Sequence, residues 1–395
     1  MAPTPGSDPR SAAAIKISSR FDCGNIEIID ADDPAAIRLA IRQDVTGPLQ
    51  EYMWFYFVLT GARGLRCGFQ VGNAGGTRWA PVGWENYRIV ASYDRTEWFR
   101  IPTTYGAGTL AWQHAVERDR IWYAYHTPYH AAERMALLER CAASQRARVE
   151  VLGETVDGRD LEMITIGEPG KDKRVCWIVA RQHPGETQAE AAAERLVDRL
   201  LDEADPVSRS LLQQAVFYVV PNINPDGSAR GNYRTNAAGI DLNRAWSNTS
   251  KEKSPEVWLV RERMRGTGID FNLDLHADES RPYVWPVGTA GIPSLTDGQV
   301  RLRKAFDQAL LRASPDYRPD KPDDRADPAP GTDPLAMCTS WTAETFGCLS
   351  LFIEFPFLDN VFAPDARYGW TAHRSRLFGA ACLDALLAVV DDLRN

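Results

Sequence analysis

The pattern of apolar residues changes at Pro128, and this change limits the fold more than any other feature of the sequence. Residues 15–127 contain short segments rich in β-branched and aromatic residues, separated by Gly, Asn, Asp and Pro. Such closely spaced segments are typical of an all-β sandwich. After Pro128, helical spacing appears and apolar strands alternate with helices, which is typical of an α/β domain with a mixed, buried sheet. We therefore predict a β-sandwich domain over residues 1–127 and an α/β domain over 128–395.

The same patterns give the individual elements. Eight strands are expected in the first part, at 15–17, 25–30, 36–43, 52–60, 65–73, 87–94, 97–103 and 120–127. Six further strands are expected at 148–154, 160–167, 174–180, 215–224, 270–276 and 348–355. Helices are expected at 129–143, 187–204, 255–266, 295–313 and 371–393. Large aromatic residues commonly fill sandwich cores, so those of the first part are expected in the core rather than on a ligand platform.

The charge balance argues against one class of partner. Lys and Arg number 45 against 53 Asp and Glu, a formal net charge of −8, whereas proteins that bind the phosphate backbone carry a basic excess. No apolar run approaches the ~20 residues that cross a bilayer, and residues 1–14 lack the apolar segment of a secretory signal. The seven cysteines contain no C-x-x-C pair. We expect a reduced, cytoplasmic protein that binds neither nucleic acid nor membrane.

Two apolar strands of the second part have a histidine at or just after their carboxyl end. The strand 174–180 runs into RQHPGE, which places His183 and Glu186 at the carboxyl edge of the sheet, where α/β proteins carry their sites. The strand 270–276 ends in His276. Two histidines and a glutamate are a competent ligand set for catalytic zinc, but the spacing alone does not decide between a zinc site and ordinary strand-end residues. Thr187 and Glu190 have the T-x-x-E spacing of a capping box, which predicts that a helix starts there.

The segment 221–246 contains Arg234, Asn243 and Arg244 within a loop that follows a buried strand. Arginine forks and an asparagine amide suit bidentate capture of a carboxylate, although solvated surface residues would give the same pattern. Glu354 lies in an otherwise apolar strand, where an unpaired charge is costly. It is either a general base whose pKa is raised by desolvation or a structural salt-bridge partner. The Pro- and Asp-rich segment 314–336 is either an active-site rim or a plain surface loop.

The order of these pieces resembles the zinc metallocarboxypeptidases, and more closely their cytosolic carboxypeptidase-like branch, which carries a β-sandwich ahead of the catalytic domain. The motifs are, in chain order, H-P-G-E (183–186), N-P-D-G (224–227), G-N-Y-R (231–234), D-L-N-R-x-W (241–246), D-L-H (274–276) and the late Glu354. The sequence D-L-H-A-D-E suits the bacterial-type members. No residue is identified as the active-site tyrosine of the pancreatic-type enzymes; Tyr283 and Tyr368 are candidates by position only.

The resemblance implies a role for each residue of these motifs. His183, Glu186 and His276 would bind one zinc ion, and Asp241 would accept the second ring N–H of a zinc histidine. Asn243 and Arg244 would clamp the terminal carboxylate of the substrate. Arg234 would stabilise the oxyanion, and Glu354 would take a proton from the attacking water and pass it to the leaving amine.

Three functions are compatible with this set of residues. The first is a carboxypeptidase that removes C-terminal residues from peptides or protein tails, and the branch it resembles implies acidic tails such as polyglutamate. The alternative is an aspartoacylase-like, zinc-dependent N-acyl amino acid deacylase on the same catalytic fold. The G-N-Y-R and D-L-N-R-x-W motifs and the N-terminal sandwich favour the peptidase. A non-catalytic binding protein is disfavoured because ligands, clamp and base are all present. The oligomeric state is not predicted.

Overall fold

The computed structural model describes residues 15–44, 51–287, 289, 292–319 and 333–394. Residues 1–14, on which the expectation of no secretory signal rested, lie outside the described residues. Most of the segment 314–336, predicted to be an active-site rim or a surface loop, lies outside them as well.

The first part of the chain forms two five-stranded sheets. Its strands are β1 (Lys16–Ser18), β2 (Glu27–Asp30), β3 (Ile37–Ala40), β4 (Tyr56–Thr60), β5 (Arg66–Val71), β6 (Ile89–Ser92), β7 (Phe99–Ile101), β8 (Thr103–Gly106), β9 (Thr109–Ala115) and β10 (Arg120–Ala124). One sheet has the strand order β1-β4-β10-β6-β7 and the other β2-β3-β5-β9-β8.

Aromatic rings fill the space between these two sheets. Phe69 and Trp112 of one sheet stack with their ring centroids 4.8 Å apart. Tyr123 of the other sheet lies 5.0 Å from Phe69 and 5.9 Å from Trp112. All three side chains are buried, so the two sheets share one core and form the predicted sandwich.

The second part is built on a seven-stranded mixed sheet. Its strands are β11 (Ala147–Glu154), β12 (Asp160–Ile166), β13 (Arg174–Ala180), β14 (Ala215–Val220), β15 (Phe271–Asp278), β16 (Trp285–Val287) and β17 (Leu349–Pro356). The strand order is β11-β12-β14-β13-β15-β17-β16. The four strands β14, β13, β15 and β17 are parallel, and the outer strands pair antiparallel. The predicted fold class, an α/β domain preceded by a β-sandwich, is confirmed.

Helices cover both faces of this sheet. They are α1 (Ala131–Ala143), α2 (Thr187–Leu201), α3 (Pro206–Gln214), α4 (Pro225–Arg230), α5 (Pro255–Thr267), α6 (Asp297–Ala313), α7 (Cys338–Phe346) and α8 (Ala372–Leu387). Successive residues of a strand point to opposite faces. Accordingly Cys176 and Ile178 of β13 share a core with α2 and α8, whereas Trp177 and Val179 share one with α5 and α7.

The helices α2 and α8 approach each other closely because of one glycine. A Cβ atom at Gly379 of α8 would lie 2.0 Å from the carbonyl oxygen of Ala192 in α2. Any larger residue at 379 would push the two helices apart. Because α2 begins directly after Glu186, the packing of α8 on α2 helps to fix the position of the helix that follows this predicted ligand.

Several elements differ from the predictions. The strands β9 and β16 and the helices α3, α4 and α7 were not expected, and the strand predicted at 97–103 is divided between β7 and β8. β9 has only Leu110 and Trp112 as large apolar residues, which makes its alternation weak. The start of α3 does carry a signal, because Asp205 caps Ser208 N and Pro206 occupies the first turn.

All seven cysteines of the sequence are buried and free. Burial raises the pKa of each thiol, for example to about 12 at Cys23 and Cys141. None of the helices over the described residues has the length and apolar character needed to span a membrane.

Candidate active site

Three adjacent parallel strands deliver the predicted site residues to one edge of the sheet. The turn after β13 carries His183 and Glu186, and the carboxyl-terminal halves of β15 and β17 carry His276 and Glu354. His276 and Glu354 are register partners across the parallel pair. The carboxyl edge of such a sheet is where α/β folds place their sites, and here it joins residues that are more than 170 positions apart in the chain.

His183, Glu186 and His276 converge on one point. His183 Nδ1 lies 2.6 Å from Glu186 Oε1, and His276 Nδ1 lies 2.8 Å from Glu186 Oε2. The two Nδ1 atoms are 3.2 Å apart. All three side chains are buried, and together they form a group of donor atoms close enough to share one metal ion.

A carboxylate stands behind each histidine. Asp241 Oδ1 lies 3.1 Å from His183 Nε2, and Asp274 Oδ1 lies 3.1 Å from His276 Nε2. Such partners fix the tautomer, so that the lone pair of each Nδ1 faces the shared point. Asp274 was not predicted, although the motif D-L-H carries the signal: residues two apart in a strand point to the same face.

Asp274 is itself held by a short chain of hydrogen bonds. Gln182 Nε2 donates to both carboxylate oxygens of Asp274, each at 2.9 Å. Trp246 Nε1 donates to Gln182 Oε1 at 2.8 Å, which fixes the orientation of that amide. The tryptophan of the D-L-N-R-x-W motif therefore orients a group in contact with His276.

The turn that carries His183 and Glu186 is braced by a buried ion pair. Arg181 donates to Glu190 Oε2 at 2.5 Å and to the carbonyl oxygen of Pro184 at 3.0 Å. The helix begins at Thr187 as predicted, but the predicted capping box is wrong. Thr187 is the first helical residue, and its hydroxyl donates to Thr127 O. The carboxylate of Glu190 accepts from Arg181 instead of capping the helix.

Two carboxylates of the centre, those of Glu186 and Asp241, have lowered pKa values. Burial by itself raises the pKa of Glu186, but the adjacent His183 and His276 outweigh burial and bring the pKa to about 2. Asp241 is partly buried, which by itself raises its pKa, but the Arg234 guanidinium, together with His183, holds that pKa well below the usual range. Metal ligands must be deprotonated, and the lowered pKa of Glu186 keeps this residue in the carboxylate form.

The structure places the three remaining loop residues differently from one another. Arg234 is buried and donates from Nε to Asp241 Oδ2 at 2.8 Å, so it is one residue removed from His183. The Asn243 side chain is buried, accepts from Cys338 N at 3.0 Å, and has Nδ2 3.4 Å from His276 Nε2. The side chain of Arg244 is exposed and its Nη1 donates to the carbonyl oxygen of Asn243 at 2.7 Å.

A buried tyrosine–glutamate pair lies beside the centre and was not predicted. Tyr233 Oη donates to Glu279 Oε1 at 2.5 Å, and Gly185 N, in the turn between the first two predicted ligands, donates to Tyr233 O at 2.9 Å. Burial, with Asp278 close by, raises the pKa of Glu279 well above its usual range.

The two tyrosines considered from their positions have other surroundings. The Tyr368 hydroxyl donates to Glu97 at 2.8 Å on the exposed surface. The Tyr283 ring packs on Phe362 with centroids 5.7 Å apart. Neither contact connects a tyrosine with the histidines.

Comparisons with known proteins agree with this geometry. The cytosolic carboxypeptidase N-terminal domain matches residues 17–126, and the zinc carboxypeptidase family matches residues 135–276. A metallo-carboxypeptidase from Burkholderia cenocepacia has a TM-score of 0.91 at 43% identity, covering 95% of this chain and 99% of that one. One from Pseudomonas aeruginosa, solved in complex with (2-guanidinoethylmercapto)succinic acid, has a TM-score of 0.90 at 40% identity, covering 96% and 100%. Mouse cytosolic carboxypeptidase 6 is 28% identical over 288 residues, which are 65% of this chain and 52% of the mouse protein.

Fold and site together define a zinc peptidase. The chain belongs to the zinc carboxypeptidase family and carries the N-terminal domain of the cytosolic carboxypeptidases, with bacterial metallocarboxypeptidases as structural neighbours. The predicted family and the predicted zinc cofactor are confirmed. The buried His–Glu–His group, with a carboxylate behind each histidine, fits that ion.

Proposed function

We propose that this carboxypeptidase removes single residues from the free C-terminus of peptides or protein tails, and that His183, Glu186 and His276 hold its zinc. The observation that carries the proposal is the convergence of these three buried donors at the carboxyl edge of the sheet, with Glu354 in register beside His276. When bound, zinc supplies a Lewis acid that lowers the pKa of water and polarises the substrate carbonyl.

Glu354 is proposed as the general base. Its side chain is buried on β17, and its neighbour across the strand pair is the ligand His276. A desolvated carboxylate there can take a proton from the attacking water and give it to the leaving amine. Arg234 is proposed to stabilise the oxyanion, because its guanidinium is buried and fixed by Asp241, which in turn contacts His183.

Asn243 and Arg244 are proposed to bind the terminal carboxylate of the substrate. Arg244 supports this role because it directly follows the buried Asn243, and its side chain reaches the protein surface. The Pseudomonas neighbour was solved with a molecule that carries two carboxylates. A planar guanidinium can bind one such group through two parallel hydrogen bonds.

The substrate class is the finer part of the proposal. Acidic tails such as polyglutamate are proposed from the resemblance to the cytosolic carboxypeptidase branch. The molecule bound to the Pseudomonas protein has a guanidino arm, the chemistry of a basic side chain. Basic C-terminal residues therefore belong in the substrate panel beside acidic ones. The cytoplasmic location and the absence of nucleic-acid binding stay predictions.

The test is a peptide panel with the zinc-loaded enzyme. Matched peptides end in Glu, Lys or Phe, each as a free acid and as an amide, and mass spectrometry follows the loss of single residues. Hydrogen bonds to charged groups contribute roughly 1.5–3 kcal/mol, so amidation should lower kcat/KM at least ~10-fold.

Three results test the carboxylate clamp and the choice of function. In Arg244→Ala, free acids and amides should become equally poor substrates, because the residue that distinguishes them is gone. Equal cleavage of acids and amides by the unmodified enzyme would contradict the carboxylate clamp. Activity confined to N-acyl amino acids would replace the carboxypeptidase with the deacylase alternative.

A further inference from the structure

A carboxylate of the N-terminal sandwich binds a segment of the catalytic domain. Asp44 accepts hydrogen bonds from three consecutive backbone N–H groups, those of Tyr233 at 2.6 Å, Arg234 at 2.7 Å and Thr235 at 2.8 Å. The Thr235 hydroxyl lies 3.3 Å from Asp44 Oδ2, the oxygen that also accepts from Arg234 N and Thr235 N. Asp44 is buried, and the residues it binds are 189–191 positions away in the chain.

The segment that Asp44 binds supports the centre in two ways. The side chain of Arg234 donates to Asp241, which contacts His183. The carbonyl oxygen of Tyr233 accepts from Gly185 N at 2.9 Å, inside the turn between His183 and Glu186. Asp44 is therefore three contacts away from His183, through Arg234 and Asp241, and two contacts away from the turn between His183 and Glu186, although it belongs to the other domain.

The chemistry of the contact differs from that of the other bonds between the sandwich and this loop. Asn25 Nδ2 donates to Gly231 O at 2.9 Å, and Arg42 Nη2 donates to Arg230 O at 2.5 Å. Those side chains hold single carbonyl groups. Three successive N–H groups that point at one carboxylate fix the direction of the backbone on both sides of Arg234, as in an anion-binding nest. Charge-assisted hydrogen bonds of this kind are about twice as strong as neutral ones.

Burial opposes the charge on Asp44, and the three backbone bonds offset part of that cost. Burial is the largest influence and raises the pKa of Asp44 to about 6. The carboxyl group is therefore mostly ionised at neutral pH and can accept all three bonds. A neutral side chain of the same shape cannot, because an amide at this position would oppose an N–H donor with its own NH₂ group.

We propose that Asp44 is a positioning residue for Arg234, which makes the N-terminal sandwich part of the catalytic apparatus rather than an appended module. The inference rests on the proposed role of Arg234 in stabilising the oxyanion. A displacement of about 1 Å in a positioned group can lower the rate ~10²-fold. Loss of Asp44 should accordingly lower kcat while leaving zinc binding and ground-state substrate binding nearly unchanged.

The experiment measures Asp44→Asn in the full-length, zinc-loaded enzyme. We expect kcat to fall ~10- to ~10²-fold with little change in KM. Affinity for a phosphonate peptide, which mimics the tetrahedral transition state, should fall by the same factor, because Arg234 contacts the oxyanion only there. Arg42→Ala is the matched control, since it removes a contact between the same domains that does not reach Arg234. Where Asp44→Asn gives no folded protein, Asp44→Ser, which keeps one small acceptor, is measured in the same way.

A double-mutant cycle shows whether Asp44 acts through Arg234. In an Arg234→Ala background, Asp44→Asn should cause little further loss, because the group that it positions is absent. Two outcomes would overturn the inference about Asp44 but leave the proposed role of Arg234 intact. One is an equal loss of activity from Asp44→Asn in both backgrounds. The other is full activity of Asp44→Asn in an enzyme that Arg234→Ala impairs. Full activity of Arg234→Ala would overturn the proposed oxyanion role and the inference with it.

Discussion

Replacing Asp274 with Asn should weaken zinc binding without removing a ligand. The Asp274 carboxylate accepts two hydrogen bonds from Gln182 and lies 3.1 Å from His276 Nε2. Asparagine has nearly the same shape, but it is neutral and has only one acceptor oxygen. Its one oxygen is only a neutral acceptor for the Gln182 amide and the His276 ring, and its NH₂ group faces the Gln182 donor in place of the second carboxylate oxygen. Removing such a partner typically costs 10–100-fold in metal affinity, which corresponds to about 1.4–2.8 kcal/mol.

The assay is a competition for zinc between the apoprotein and a chromophoric chelator. Asp270→Asn is the matched control: it makes the same chemical change at the other end of β15, where the carboxylate binds Arg394 and Val175 N. The control should keep the zinc affinity of the unmodified chain. If the folded Asp274→Asn protein also kept it, the argument that this carboxylate orients His276 as a ligand would be refuted.

Three further predictions concern the base, the ligands and a buried carboxyl group. Glu354→Gln should lower kcat by at least ~10² while one zinc per chain remains bound, as steady-state kinetics and metal analysis would show. His276→Ala should lose stoichiometric zinc and activity but keep most of the fold by circular dichroism, since the strand neighbours Leu275 and Ala277 still fill the hydrophobic core on the opposite face. Retained zinc would contradict the ligand assignment. Burial raises the pKa of Glu256 from 4.5 to about 7, so the folded state holds this proton more tightly than the unfolded state. The free energy of unfolding should therefore fall as pH rises between these values, and the fall should be shallower in Glu256→Gln when measured by denaturant titration.

The sequence predicted the residues that strand order brings together. His183 and His276 follow apolar strands, and parallel strands present their carboxyl ends at one edge, so their proximity follows from the pattern. Asp241 was predicted from its motif, and the structure places it beside His183. The roles assigned to these residues, and the division of the chain at residue 127, stay predictions.

Residues that act through tertiary contacts could not be predicted in this way. Asp44 lies in an ordinary polar loop, and nothing in the local pattern shows that a segment 189 residues away will dock on it. Glu279 pairs with Tyr233 because two loops meet over the centre. Glu190 fitted a capping motif, but the buried Arg181 took its carboxylate, since an unpaired buried guanidinium costs more than an uncapped helix start.

The seven buried thiols of this enzyme can report when each part of the structure unfolds. A thiol reagent attacks the thiolate, and burial both shields the sulfurs and raises their pKa. Labelling of the folded chain should therefore wait for opening of the structure. Cys67 lies in the sandwich, whereas Cys176 and Cys382 lie in the sheet and helices of the catalytic part. The order in which these positions acquire label, read by mass spectrometry of tryptic peptides, would show whether the two domains open together or one after the other.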